Sequence, residues 1–315
     1  MSNSKLKTQN SELPEVVTLG ESMAVLYPPE PVALEATPSL RLDIGGAESN
    51  LAIWLARLGH RARFISRVGD DPFGRRIRAI LDGCGVDTAG LSVDPGAPTG
   101  VFFREWLADG ARRVYYYRAG SAASRLQPED LRPELFAGAR IVHLTGITPA
   151  LGPGCPAACA RAVELARAGG ALVALDPNYR ARLWSPEQAR AALLPLVAQS
   201  DILLMGHEDS SAIFGTDQAD DAIEQALALG PRTVVFKQAE HGATAAADGQ
   251  RVHVPAFPVA TVVDPVGAGD AFDAGFLAGL LRGHSLEEAL RLGARLGAEC
   301  VGQLGDYAGS VRLEA

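Results

Sequence analysis

A chain of 315 residues with 47% hydrophobic and 21% charged residues is long enough to bury one large core, and its composition is that of a globular protein. A formal net charge of −8 excludes a general nucleic-acid surface, which needs clustered Lys and Arg, while a few arginines still suffice to hold a small anion. No apolar run reaches the length of a membrane span, and the four cysteines lack the neighbouring histidines or further cysteines of a zinc site.

Residues 1–14 are polar and lack an apolar signal core, so a disordered leader and a cytoplasmic protein are expected. Beyond it, short apolar runs alternate with helical patterns: Val16–Leu19 then Asn50–Leu58, Arg63–Val68 then Phe73–Leu81, Ile141–Leu144 then Ala157–Ala168. The alternation continues with Ala171–Leu175 then Pro186–Val197, Ile202–Met205 then Asp209–Phe214, and Thr233–Phe236. Such a rhythm predicts βαβ units in one α/β domain over residues 15–315, with a mostly parallel sheet covered on both faces. Two segments break it, about 21–44 and 97–118. Both carry β-formers and read as strands outside the main sheet, with Ala108-Asp109-Gly110 as a hairpin turn. A β-rich run through Val252, Val254, Val259 and Thr261–Val263 precedes the glycine turn at Gly267. Asn178, Lys237 and Gly267 all follow predicted strands, and ligands of open α/β sheets bind at carboxyl ends of strands.

The run from Asp264 to Gly275 is the most informative stretch. Gly267 and Gly269 leave backbone N–H groups unscreened at the positive end of a helix dipole, a ready site for phosphate or a developing oxyanion. Asp270 places a carboxylate in the same turn, where it suits proton removal from an attacking hydroxyl. Gly267, Ala268, Gly269 and Asp270 therefore point to phosphoryl transfer to an alcohol. A tight turn with Asp270 as a helix N-cap is the plainer alternative.

Three more strings carry polar chemistry. Gly45-Gly46-Ala47-Glu48-Ser49-Asn50 opens a helix and offers donors and acceptors for vicinal hydroxyls. Tyr115-Tyr116-Tyr117-Arg118 holds half of the six tyrosines, and strand alternation puts Tyr116 and Arg118 on one face. Arg118 is a candidate to pair a carboxylate bidentately. Asp176-Pro177-Asn178-Tyr179-Arg180 follows a strand and suits phosphate or sugar contacts, or a structural Asx turn. His143, His207, Trp54, Trp106 and Trp184 read as packing or surface groups.

The Asp264–Asp270 string resembles the C-terminal signature of the PfkB (ribokinase-like) sugar kinases, Asp-Thr-x-Gly-Ala-Gly-Asp, with Pro265 in place of threonine. Gly45–Asn50 and the helix running to Gly59 resemble the family's N-terminal motif. The strings Tyr116-Tyr117-Arg118-Ala119-Gly120-Ser121-Ala122, His143–Leu151 and Asp176–Trp184 further resemble the kinases of 2-keto-3-deoxygluconate. The resemblance runs from Val16 to about Gly309. It implies a three-layer α/β/α sandwich with a small β-rich lid, ATP and Mg²⁺ as cofactors, a small sugar-acid substrate, and copies that associate through the lid. It also implies that Asp270 is the base and that Gly267–Gly269 stabilise the transferring group. Substrate contacts would be Gly46, Ala47, Glu48, Ser49, Asn50, Phe102, Tyr116, Tyr117, Arg118, Arg180, Asp264 and Asp306. Asn178, Arg180, Lys237, Gln238, His241, Gly242, Gly267 and Gly269 would face the nucleotide, and Asp209 the metal. Three departures stand out: Phe102 replaces a lid tyrosine, the Lys237–Gly242 loop lacks its first glycine, and Asp209 replaces a glutamate. Fructokinase-like or ribokinase-like activity, or a binding protein without turnover, are the alternatives.

Overall fold

The computed structural model describes residues 13–107 and 112–307. Most of the leader and the hairpin turn at Ala108-Asp109-Gly110 thus lie outside the described residues. In chain order the elements are β1 (Val16–Leu19), β2 (Met23–Tyr27), β3 (Arg41–Gly45), α1 (Ala47–Arg57), β4 (Ala62–Gly69), α2 (Pro72–Gly83), β5 (Asp87–Asp94), β6 (Val101–Trp106) and β7 (Arg112–Tyr117). There follow β8 (Ile141–Thr145), α3 (Cys155–Gly169), β9 (Leu172–Asp176), α4 (Pro186–Val197), β10 (Ile202–Gly206), α5 (His207–Phe214) and α6 (Ala219–Leu229). The chain ends with β11 (Thr233–Lys237), β12 (Ala243–Ala247), β13 (Gln250–Val254), α7 (Ala268–Leu281) and α8 (Leu286–Val301).

Nine strands form the large sheet in the order β13-β12-β11-β10-β9-β8-β1-β4-β5. Every pairing from β11 to β5 is parallel; β12 and β13 add an antiparallel edge. Strand alternation divides the apolar side chains between two faces. Val16 packs with α1, α2, α7 and α8 on one face, and Val17 and Leu19 pack with α3, α4, α5 and α6 on the other. The result is a three-layer α/β/α sandwich. A second sheet of four strands, ordered β3-β2-β6-β7, has its own small core of Met23, Val25, Tyr27 and Phe102.

Local chemistry sets the ends of several elements. Ser185 caps α4 and exchanges hydrogen bonds with Gln188 in a capping box, with Pro186 in the first turn. One expectation fails. The strand predicted through Val259–Val263 does not exist: β13 stops at Val254, and residues 255–266 have no regular structure. Pro255, Pro258 and Pro265 lack the N–H that a ladder needs, and Val262 is 59% exposed. The helix α7 is therefore entered from an irregular loop rather than from a strand.

Candidate active site

Gly267 is the N-cap of α7 and adopts φ 82°, a left-handed conformation that glycine alone takes cheaply. A Cβ at this position would collide with the carbonyl oxygen of Asp306. Gly269 differs: its nearest heavy atom beyond a hypothetical Cβ is Lys237 Nζ at 3.8 Å, so the turn opens outward there. No side chain caps the first turn of α7; the Ala268 N–H is taken by the Pro265 carbonyl at 3.2 Å, and the helix dipole favours an anion at the turn. Asp270 stands in that first turn, half-buried, and its Oδ2 accepts a hydrogen bond from Asn50 Nδ2 at 2.8 Å. Burial pushes its carboxyl up to about 7; the Asn50 bond and Arg180 pull it down, while Asp176 and Asp306 push it further up. A carboxyl held near neutrality beside a helix N-terminus is an arrangement that suits proton removal from a hydroxyl attacking a phosphate.

On one side of the turn lie Asp264 and Asp306, both buried. Each contacts Nη1 of Arg104, at 3.1 and 2.7 Å, a buried arginine that sequence reasoning did not single out. Phe102 is buried next to Gly45 and its ring lies 5.6 Å from that of Tyr116. Tyr116 is half-exposed and Tyr117 is 68% exposed. The structure gives Arg118 a partner within the protein: its Nε donates to Glu21 Oε2 at 2.7 Å, its Nη2 reaches the same oxygen, and Ser121 Oγ completes the group at 2.6 Å.

Glu48 and Ser49 depart from the expected substrate contacts. Glu48 is turned inward, accepts hydroxyls from Thr145 and Thr148, and is pushed up by burial. Ser49 donates to Gly46 O at 2.9 Å and to Ser22 Oγ at 3.1 Å. The α1 turn that begins at Gly46 and Ala47 buries these two side chains and leaves Asn50 as the one that meets Asp270.

On the other side, Lys237 is not a free nucleotide contact. Its Nζ lies 3.0 Å from Asp176 Oδ2 and 3.0 Å from Asp273 Oδ1. Burial alone would lower this ammonium, but Asp176, Asp273 and Asp209 outweigh it and raise it. Burial also holds Asp273 well above the usual carboxylate range, although Lys237 opposes it. Asp209 is pushed up to about 6 by burial and by Asp176; both its oxygens accept backbone N–H groups, from Tyr179 at 2.7 Å and Gly206 at 2.8 Å. Among the described residues no group of three His, Cys, Asp or Glu could hold a metal ion. Asn178 has φ 42° and donates its backbone N–H to Asp176 Oδ1, the Asx turn foreseen as the structural alternative. Arg180 is exposed and forms no ion pair among the described residues. Gln238 Oε1 accepts from Thr244, and His241 is an exposed neighbour of Glu240 before Gly242. Ala239, which stands at the missing glycine, still adopts φ 49°.

A raised carboxyl beside a glycine turn at a helix N-terminus, in an α/β/α sandwich, suits phosphoryl transfer to an alcohol. Residues 13–312 match the family model described as pfkB family carbohydrate kinase. The chain belongs to the pfkB carbohydrate kinases, and is an ATP-dependent sugar kinase. It is 37% identical to a 2-dehydro-3-deoxygluconokinase of Thermoproteus tenax, over 92% of this chain and 89% of that protein. Fructokinase-1 of Oryza sativa subsp. japonica is 35% identical, over 90% of each chain. A ribokinase II of E. coli, solved with ATP and Mg²⁺, superposes with a TM-score of 0.87 at 26% identity, covering 95% of this chain and 96% of that one.

Proposed function

We propose that this kinase phosphorylates 2-keto-3-deoxygluconate, also called 2-dehydro-3-deoxygluconate, or a close sugar acid, on its primary hydroxyl. The observation that carries the acid preference is Arg180: exposed, without an ion-pair partner among the described residues, and near enough to Asp270 to lower its carboxyl. A cation of this kind suits a carboxylate in the cleft. The relative from T. tenax, named for such a substrate, supports the same reading.

In the mechanism Asp270 takes the proton of the hydroxyl as its oxygen attacks the γ-phosphorus of ATP, and ADP departs. The open face at Gly269 and the α7 N-terminus stabilise the spreading negative charge. Mg²⁺, when bound, would supply positive charge to the phosphate oxygens. Asp209 would orient water around that ion with the lone pairs its two backbone contacts leave free. Asn178 and Gly242 would line the nucleotide side, and Asn50, Asp264 and Asp306 the sugar side. Exposed Tyr117 on the small sheet favours association of copies through that sheet.

A fructokinase is the second reading. It is favoured by the engagement of Arg118 with Glu21, which removes one expected carboxylate partner, and by the rice relative. ADP release measured over a panel of sugar acids, fructose and ribose separates the two. The wild-type enzyme should prefer a sugar acid, and Arg180→Ala should cut kcat/KM for it by roughly ten- to a hundredfold, the value of a charge-assisted hydrogen bond. A wild-type preference for fructose, or an equal loss on all sugars, overturns the acid assignment.

A further inference from the structure

β6 carries two adjacent buried charges, Arg104 and Glu105, on opposite faces of the small sheet. Glu105 is satisfied locally, by Leu34 N at 2.7 Å and Tyr115 OH at 3.0 Å. Arg104 instead ties its own sheet to the loops beside α7. Its guanidinium carbon sits 4.8 Å over the ring of Tyr27, and its Nη1 reaches both Asp306 and Asp264. Those two carboxylates are not remote from the chemistry. Asp264 Oδ1 accepts the Val266 N–H at 3.2 Å, one residue before Gly267, and the Asp306 carbonyl fills the space beside Gly267. The Asn50 amide, which donates to Asp270, also faces Asp306.

A buried ion pair is weak evidence for stability, since apolar residues of similar volume often serve as well. Arg104 is a poor anchor by that standard: its Nε and Nη2 are buried with no hydrogen-bond partner, at a cost in desolvation. What it supplies is position and charge at Nη1.

We propose that Arg104 is a positioning residue for phosphoryl transfer: it fixes Asp264 and Asp306 beside the catalytic turn and, through Asn50, holds the Asp270 carboxylate towards the acceptor hydroxyl. The proposal rests on Asp270 as the base, but not on which sugar is used. It assigns the small sheet a part in assembling the base as well as in covering the sugar. The groups facing Asp306 are Arg104 from β6, Asp264 from the loop before α7, Asp43 from β3, Asn50 from α1 and Asp270 from α7, with Tyr27 and Tyr307 near enough to feel its charge. Burial pushes Asp306 up to about 6, Arg104 is the main influence holding it down, and Asp264 and Asp43 oppose Arg104.

The test compares Arg104→Lys, Arg104→Gln and Arg104→Met in the full-length enzyme, with its best sugar and ATP. Both contacts fall on one nitrogen, so an ammonium should restore most of what a neutral side chain loses. The Gln and Met variants should lose about 10²-fold in kcat, the usual cost of a displaced catalytic group, with KM for ATP unchanged. Folded Gln and Met variants with wild-type kcat would reduce Arg104 to packing. If the Met variant does not fold, Lys against Gln decides: equal losses in both overturn the proposal. Failure of the underlying reading is seen separately, as an Asp270→Asn enzyme that still turns over.

Discussion

On one side of the Gly267–Gly269 turn, Lys237 holds Asp176 and Asp273, each at 3.0 Å; on the other, Arg104 holds Asp306 and Asp264 at 2.7 and 3.1 Å. Both clusters are buried, both place one cation between carboxylates, and both touch the turn, at Gly269 and at Gly267 respectively. They differ in what they join. The Lys237 partners come from β9 and α7, with Asp209 of α5 close enough to feel its charge, so the cluster lies wholly within the large sheet and its helices. It has more carboxylates than cations, and burial holds Asp273 well above the usual carboxylate range although Lys237 opposes it. The Arg104 cluster crosses from the small sheet to the loops around α7. The Lys237 side is a floor built within one sheet and its helices, and the Arg104 side a joint between two sheets.

The most damaging way to break that comparison is Lys237→Met. Removing one partner of a buried pair costs about 3–5 kcal/mol, and here it strands Asp176, Asp209 and Asp273. The penalty should shrink as pH falls, because native carboxylates held above their unfolded pKa take up protons that relieve the repulsion. Urea unfolding at pH 7.5 and pH 5 checks both statements; an equal penalty at the two values would show that the floor is not electrostatic. The two glycines sharpen the contrast further. Gly267→Ala meets the Asp306 carbonyl and a positive φ, so it should cost about 1–3 kcal/mol of stability. Gly269→Ala meets only open space within the protein, so it should melt near the wild type yet lose about 10²-fold in kcat by intruding on the anion. Matching stability losses in both would merge the two positions into one structural turn. The smallest effect is expected of Ala239→Gly, which relieves a left-handed alanine and should gain about 0.5–1 kcal/mol, read as a rise in Tm. A fall in Tm would mean the methyl group packs usefully.

Much of the fold was legible because local chemistry and tertiary burial agree. Pro186–Val197 is bounded as predicted, since Ser185, Pro186 and Gln188 specify its start, and Val16–Leu19 is bounded as predicted by its apolar run. β12 was missed: Ala243–Ala247 is four alanines and a threonine, with little β preference, and becomes a strand because β11 and β13 pair it on both edges. The Val259–Val263 run misled for the opposite reason, as β-formers were read without weighing the prolines around them. The glycine turn and the carboxylate within it were legible from adjacent residues. Arg104, Glu21 and the partners of Lys237 were not, because their contacts link positions such as 21 with 118 and 104 with 306. One local signal was present, the charged pair Arg104-Glu105 inside an otherwise apolar strand.

The central claim is that Asp270 removes the proton from the sugar hydroxyl. Burial holds its carboxyl near 7 in the free protein, and only the ionised form accepts a proton, so the wild-type kcat/KM should fall as pH drops below about 7. The direct measurement is kcat for Asp270→Asn with the preferred sugar, alongside equilibrium binding of ATP and sugar. The account predicts a loss of roughly 10²–10⁴-fold with binding preserved. An Asn variant retaining more than about a tenth of wild-type kcat, well outside the range expected for a lost general base, would contradict it.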